Sequence, residues 1–389
     1  MRILYDLIAT QPSGGNKFHG GGEYAKIVFE HLIKNKKNAE IVCLYNKNNY
    51  LDKNIINVIK KNHLELLHIE NKKAIQNIIS TYKIDKIYSS LPYQFYDASL
   101  DNLEFIFTIH GLRPIEMSTD RYEIRYAKSI RDVAIFIFKK TLKRKYVSRR
   151  KSQFNKLFKV SKNIKIITSS LHTKYSLLCH FPELRQKQIY VLYPPRQKTV
   201  LLGDIKKLHN LNLQEKQYFL LINADRWIKN SFRAIQALDQ LFSGFPEIKE
   251  KVLVLGSDKI KRFEKMIINK DKFIFHAYVQ RDVLEVLYKS AYCLIYPTLN
   301  EGFGYPPLEC MKYGTPVLCS AITSITEICQ DGVIYFNPFS IEEIKSRVLQ
   351  MIFEPGIYER YSQRGIEVSK RVAVKQDQML DKLVGIILK

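Results

Sequence analysis

Short apolar runs alternate with longer amphipathic stretches along the whole chain. In the first half the runs are Ile3-Leu4-Tyr5, Ile41-Val42-Cys43-Leu44, Lys86-Ile87-Tyr88, Phe105-Ile106-Phe107-Thr108-Ile109 and Ile164-Lys165-Ile166-Ile167. In the second half they are Tyr218-Phe219-Leu220-Leu221-Ile222, Val252-Leu253-Val254-Leu255, Phe273-Ile274-Phe275, Leu294-Ile295-Tyr296, Val317-Leu318-Cys319 and Val333-Ile334-Tyr335. Apolar side chains fill both sets of alternate positions, which predicts strands buried on two faces. Helix-length segments between them predict parallel sheets with helices on both sides. The alternation pauses at Tyr193-Pro194-Pro195, stays polar to about Lys216, and then restarts. This predicts two α/β domains, residues 1–195 and 196–369. The last helical stretch, about 370–389, is followed by no strand and is expected to pack back on the first domain.

Open parallel sheets bind ligands beyond the carboxyl ends of their strands. Four loops at such ends carry unusual residues. The first, "TQPSGGNKFHGGGEYAKIVFEHL", ends in glycines, including Gly21 and Gly22, that open a helix. Glycines let backbone N–H groups approach an anion, although turning alone would also explain them. The second, "FIFTIHGLRPIE", ends a strand on His110, a candidate partner for a polar substrate or merely a strand cap. In the third, "FLLINADRWIKN", Arg226 and Lys229 could clamp a diphosphate. The fourth is "NEGFGYPPLECMKYGTPV". Its turn, Gly302-Phe303-Gly304, precedes two prolines suited to the first turn of a helix, and Gly314 suits that helix's end. Glu301 and Glu309 stand eight residues apart on either side of the turn. Each carboxylate can accept two hydrogen bonds from vicinal hydroxyls. The pair could also act as acid and base in glycoside hydrolysis.

The segment from Ala277 to Pro338, with "EGFGYPPLECMKYGTPV" at its centre, resembles the retaining nucleotide-sugar glycosyltransferases of family 4. Glu301 and Glu309 match that family's E-x7-E. "NADRWIKN", "TIHGLRPIE", "GGGEYAKIVFEHL" and "ITSS…VLYPP" resemble its other signatures, in the family's order. The resemblance implies a GT-B fold, two Rossmann-like domains facing an interdomain cleft. It implies transfer of a hexose-type sugar, with retention, from a UDP- or GDP-sugar to a glycan acceptor in cell-surface polysaccharide synthesis. Under it, Glu309 would hold the donor's ribose. Glu301 would contact the donor sugar beside the backbone of Gly302, Phe303 and Gly304. Arg226 and Lys229 would neutralise the diphosphate, and His110 would contact the transferred sugar. Gly111 stands where many relatives carry an acidic residue. No D-x-D occurs in the chain, so cationic side chains are expected to replace a metal, and no cofactor is expected beyond the nucleotide-sugar substrate. A nucleotide-sugar epimerase and a glycosidase are the neighbouring readings.

Charge adds a partner. The chain has 389 residues, with 62 Lys and Arg against 38 Asp and Glu, a net charge of +24. Between Tyr126 and Asn163 lie 13 Lys and Arg and one acidic residue, Asp132, interleaved with apolar positions. That pattern fits an amphipathic surface on anionic lipid, presenting the enzyme to a polyprenyl-diphosphate-linked saccharide. A solvated basic helix pair would give the same pattern. A basic nucleic-acid-binding protein is the reading from a different class. No aromatic-interleaved basic platform supports it, and nucleic acid is not expected as a partner. Six cysteines without a C-x-x-C pair predict reduced thiols and a cytoplasmic protein, peripheral at the inner face of the cell membrane.

Overall fold

The computed structural model describes all residues except 13–19, 70–73, 102, 198–207, 209–210 and 258–260. Its described residues form two compact units. The first comprises Met1–Ile115, Val147–Gln197 and Val374–Lys389; the second comprises Glu116–Tyr146 and Lys198–Ala373.

The first unit holds a seven-stranded parallel sheet. Its strands are β1 (Arg2–Asp6), β2 (Glu40–Asn46), β3 (Glu65–Ile69), β4 (Lys86–Ser89), β5 (Glu104–Ile109), β6 (Ile164–Thr168) and β7 (Gln188–Val191), in spatial order β3-β2-β1-β4-β5-β6-β7. The second unit holds a six-stranded parallel sheet of β8 (Tyr218–Leu221), β9 (Lys251–Leu255), β10 (Phe273–His276), β11 (Cys293–Tyr296), β12 (Val317–Ser320) and β13 (Ile334–Phe336), in order β10-β9-β8-β11-β12-β13. Every apolar run read as a strand is one. β3 and β7, which those runs do not include, are the two edges of the first sheet. Both are short and mixed: "ELLHI" carries a glutamate and a histidine among its apolar positions, and "QIYV" has only three apolar positions.

The helices follow in turn: α1 (Gly20–Asn35), α2 (Lys53–Lys61), α3 (Ala74–Thr81), α4 (Arg113–Glu116), α5 (Ile130–Thr141), α6 (Lys143–Phe158), α7 (Leu171–His180), α8 (Ser231–Gly244), α9 (Arg281–Ser290), α10 (Tyr305–Met311), α11 (Ile325–Cys329), α12 (Ile341–Phe353) and α13 (Ile357–Leu388). Two apolar clusters cover the two faces of the first sheet. One includes Leu4, Phe105, Phe107 and Phe158; the other includes Ile3, Tyr5, Val28 and Ile106. Alternate residues of β1 and β5 thus point to opposite cores, as a doubly covered strand requires. Leu383, Val384 and Ile387, from the end of α13, belong to the second of these clusters.

Residues 116–146 depart from the expected division, in which they belong to the first domain. They lie in the second unit, and side-chain chemistry accounts for it. The buried guanidinium of Arg233, in the first turn of α8, needs a carboxylate, and Asp120 accepts from both Nη atoms at 3.0 and 2.8 Å. The Tyr126 hydroxyl accepts from the Phe232 N–H at 2.8 Å, satisfying a donor that the helix start leaves open. The Tyr126 ring sits in the second unit's core, and Tyr122 packs against it.

In both sheets the strand order reverses direction at a switch point, between β1 and β4 in one and between β8 and β11 in the other. Ligand crevices form at such points, where neighbouring loops diverge.

Candidate functional site

At the switch point of the second sheet, the loop after β8 carries Arg226, exposed, and then a single 3-10 turn, Trp227–Lys229. Asn230 ends the turn with φ at +57°. Its side-chain amide donates to the carbonyls of Pro297 at 2.9 Å and Pro338 at 2.8 Å. These bonds pin the loop to the exit of β11 and turn Lys229 inward, where it is buried. Its Nζ donates to the Tyr296 hydroxyl at 2.6 Å and to Glu301 Oε1. The same carboxylate oxygen accepts from the Tyr296 hydroxyl and the Thr298 hydroxyl, each at 2.8 Å. Burial pushes the Glu301 carboxyl up. The Lys229 charge and the three hydrogen bonds outweigh it and hold the group below the ordinary glutamate value. Lys229 and Glu301, read separately in the sequence as a phosphate clamp and a sugar contact, are therefore paired with each other.

The turn that follows is held by its carbonyls. Ser324 Oγ donates to the oxygens of Glu301 at 2.9 Å and Phe303 at 3.2 Å. Gly304 has φ at +104°, and a Cβ there would stand 2.5 Å from Ile325 Cδ1. No other residue type can occupy this position without strain. α10 starts directly after it, with Pro306 and Pro307 in its first turn. Gly314, with φ at +73°, closes the turn beyond its end. Glu309 lies on α10, only 8% exposed. It accepts from Arg281 Nη2 at 2.7 Å.

In the first unit, Gly21 and Gly22 sit in the first turn of α1. A Cβ on Gly21 would meet Leu91 Cδ1 at 3.0 Å, so the helix start lies close to the loop after β4. The rest of the glycine-rich loop, residues 13–19, lies outside the described residues. His110 Nε2 lies 3.0 Å from the carbonyl of Ser90, in that same loop, and its ring meets Tyr24 edge-on at 4.8 Å. The structure thus gathers Gly21, Gly22 and His110 in one unit, and Arg226, Lys229, Glu301, Gly302, Phe303, Gly304 and Glu309 in the other.

Two groups at these loops carry no motif. Asp6, the last residue of β1, is wholly buried and accepts from Ser89 Oγ at 2.5 Å, from Gln94 Nε2 and from the Ile8 N–H at 3.1 Å. Burial, against these hydrogen bonds, raises its pKa to about 7. A charge closing an apolar strand, "RILYD", was the signal for it. Arg281, on α9, was visible only as an i,i+4 partner of Glu285.

Residues 204–368 match the family model described as glycosyl transferases group 1. The O-antigen chain mannosyltransferase RfbU of Salmonella typhimurium is 28% identical over 169 residues, 42% of this chain and 47% of the relative. The O-antigen chain mannosyltransferase B of Escherichia coli is 35% identical over 94 residues, 24% of this chain and 25% of the relative. The chain thus spans about half the length of one of these relatives and a quarter of the other. Among solved structures, the sucrose-phosphate synthase of Thermosynechococcus elongatus superimposes with a TM-score of 0.69 at 14% identity, covering 99% of each chain. Residues 204–368 thus match the group 1 glycosyl transferase model, within a chain that has the GT-B fold.

Proposed function

We propose that the protein is a retaining hexosyltransferase that moves mannose from a nucleoside diphosphate to a glycan acceptor during cell-surface polysaccharide synthesis. The observation that carries this reading is the buried Lys229–Glu301 pair in the loops at the switch point, with Arg226 beside it in sequence and Glu309 on the helix that follows, all within the stretch that matches the group 1 model. The choice of mannose rests on the O-antigen mannosyltransferases among the relatives.

In this mechanism the nucleoside diphosphate becomes a competent leaving group when its developing charge is stabilised by fixed cations. Arg226 stands at the exposed rim to receive it. Lys229, charged and held by Tyr296 and Glu301, is oriented before the donor arrives. Glu301 and the turn after it take the sugar, and Glu309 takes the ribose. The acceptor hydroxyl attacks from the face the diphosphate leaves, so configuration is retained. Cations do the work of a metal in this scheme, and turnover in EDTA is the expected result.

A lipid-linked acceptor accounts for the charged surface. On α5 the side chains of Ile130, Ile135 and Ile137 are exposed, with Ile130 at 89%. Leu142 is exposed just beyond, and Arg131, Lys140, Lys143, Arg144 and Lys145 are exposed around them. Apolar side chains ringed by cations suit the headgroup boundary of an anionic leaflet. No helix among the described residues is long and apolar enough to cross a membrane.

A thermal-shift panel of nucleotide sugars tests the assignment, because a bound donor stabilises the native state. The expected result is stabilisation by a nucleoside-diphosphate mannose, followed by transfer of α-linked mannose to a mannosyl lipid acceptor. Stabilisation by a different sugar nucleotide would replace mannose. Stabilisation by none would overturn the transferase reading.

A further inference from the structure

Glu309 is not alone on its helix face. Arg281 Nη2 donates to Glu309 Oε1 at 2.7 Å, and the same nitrogen lies 2.5 Å from Glu285 Oε1. Only the first contact has hydrogen-bond geometry, since Glu285 Oε1 accepts from no donor. The second is therefore a charge contact that anchors the guanidinium. The Glu285 side chain is wholly buried, and its other oxygen accepts from Lys312 Nζ at 2.6 Å and the Tyr313 hydroxyl at 2.5 Å. The wholly buried Tyr288, on α9 with Arg281, is also hydrogen-bonded to Glu309.

Charge runs through this set in order: Lys312, Glu285, Arg281, Glu309. Two cations and two anions cancel, so the buried Glu285 is compensated from both sides. A buried, unpaired charge would be costly. The Arg281 side chain remains 32% exposed. Its Nε is buried and has no partner. A carboxylate that must accept from two neighbouring hydroxyls has to be held in one rotamer. A glutamate with no neighbour to fix it does not meet that condition, because its side chain loses rotamer freedom when held. Arginine supplies the hold, as a permanent charge with a rigid fork of donors.

We propose that Arg281, braced by Glu285, is a positioning residue for the donor nucleotide: it orients the Glu309 carboxylate for the two ribose hydroxyls and so sets the preference for ribonucleotide over 2′-deoxyribonucleotide donors. This rests on the reading of Glu309 as the ribose contact. α9 thereby acquires a role in donor recognition without touching the sugar.

The test is calorimetry with GDP, UDP and their 2′-deoxy counterparts on the full chain. Wild type is expected to prefer the ribose form of its own nucleotide by about 10-fold or more, the worth of a hydrogen bond to a charged group. Arg281→Ala should weaken the ribose form to the level of the deoxy form, so that the preference collapses towards about 1. Arg281→Lys should keep the charge, lose the fork and recover the preference in part. Lys312 and Tyr313 still satisfy Glu285 in these variants, so folding is expected to survive, and the melting temperature checks it. A folded Arg281→Ala that keeps the wild-type preference overturns the proposal. Glu309→Ala separates the two levels. If it abolishes the preference while Arg281→Ala does not, only the positioning role fails. If it leaves the preference intact, or if wild type binds none of the nucleotides, the reading of Glu309 fails and takes the proposal with it.

Discussion

At the scale of single residues, two buried ionisable groups have opposite consequences. Glu301 is held ionised by Lys229, and both side chains are nearly enclosed. Removing the lysine leaves an uncompensated buried carboxylate, which costs about 3–5 kcal/mol. Lys229→Met should therefore lower the unfolding midpoint sharply. Adding Glu301→Gln should restore much of it, because the amide needs no counter-charge. Neither protein should turn over donor. Recovery of stability without recovery of activity is the expected pattern in urea unfolding and transfer assays; an active double variant would remove the pair from the site. Asp6 behaves in the other direction. Its pKa is raised to about 7 in the folded chain, against about 4 when unfolded. Between those values the folded state keeps a proton that the unfolded chain has released. Stability therefore falls as pH rises from about 4 to about 7, and the full penalty, at most roughly 4 kcal/mol, persists above. Asp6→Asn should flatten the dependence and raise the melting temperature at pH 8 but not at pH 4. A wild-type melting temperature independent of pH over that range would contradict this.

At the scale of elements, the turn before α10 and the strap over α8 depend on different physics. Gly304 combines a left-handed backbone with the methyl group of Ile325 at contact. Gly304→Ala should cost on the order of 1–3 kcal/mol. It should also raise KM for the donor, since the turn and α10 carry Glu301 and Glu309 at its two ends. Ile325→Val in the same chain should relieve the steric part and leave the backbone part, so rescue should be incomplete in both unfolding and donor titration. In the strap, Asp120→Ala leaves the Arg233 guanidinium buried, with Asn230 Oδ1 as its remaining hydrogen-bond partner, at 2.7 Å. A loss of about 3 kcal/mol or more is expected. Limited proteolysis should then open cleavage between residues 116 and 146, and unchanged protection would show that the ion pair does not secure the segment.

At the scale of the whole molecule, charge is the dominant asymmetry. Each Lys or Arg close to an anionic membrane contributes about 1 kcal/mol. Neutralising Lys143, Arg144, Lys145, Arg149, Arg150 and Lys151 should release the protein from anionic liposomes in sedimentation, as high salt should for wild type. Ile130→Ser with Ile137→Ser should weaken binding without changing its salt dependence, because those side chains contribute burial and not charge. Equal failure of wild type to bind anionic and neutral vesicles at low salt would remove the membrane from the proposal and leave sugar transfer untouched.

How much of this was legible in the chain differs by element, for one physical reason. Central strands must be apolar on both faces, so β1, β5, β8 and β11 are written as continuous runs, and the loops after them could be located before any coordinates. The turn at Gly302 to Gly304 was equally legible, because a left-handed backbone and a helix start restrict residue type locally. The edge strands β3 and β7 were not read, although β10 and β13, the edges of the second sheet, were. Pairings between distant residues left no local mark at all. Lys229 with Glu301, Arg281 with Glu309, and Asp120 with Arg233 are 72, 28 and 113 positions apart. Each satisfies a charge whose partner the sequence does not mark, even where, as with Lys229 and Glu301, it marks the residues themselves. The sequence by itself determined two parallel sheets, their strand-end loops and the residue types available there. Only the tertiary structure decided which charges meet and that residues 116–146 join the second unit, because burial creates the demand for a partner and folding alone brings the partner within reach.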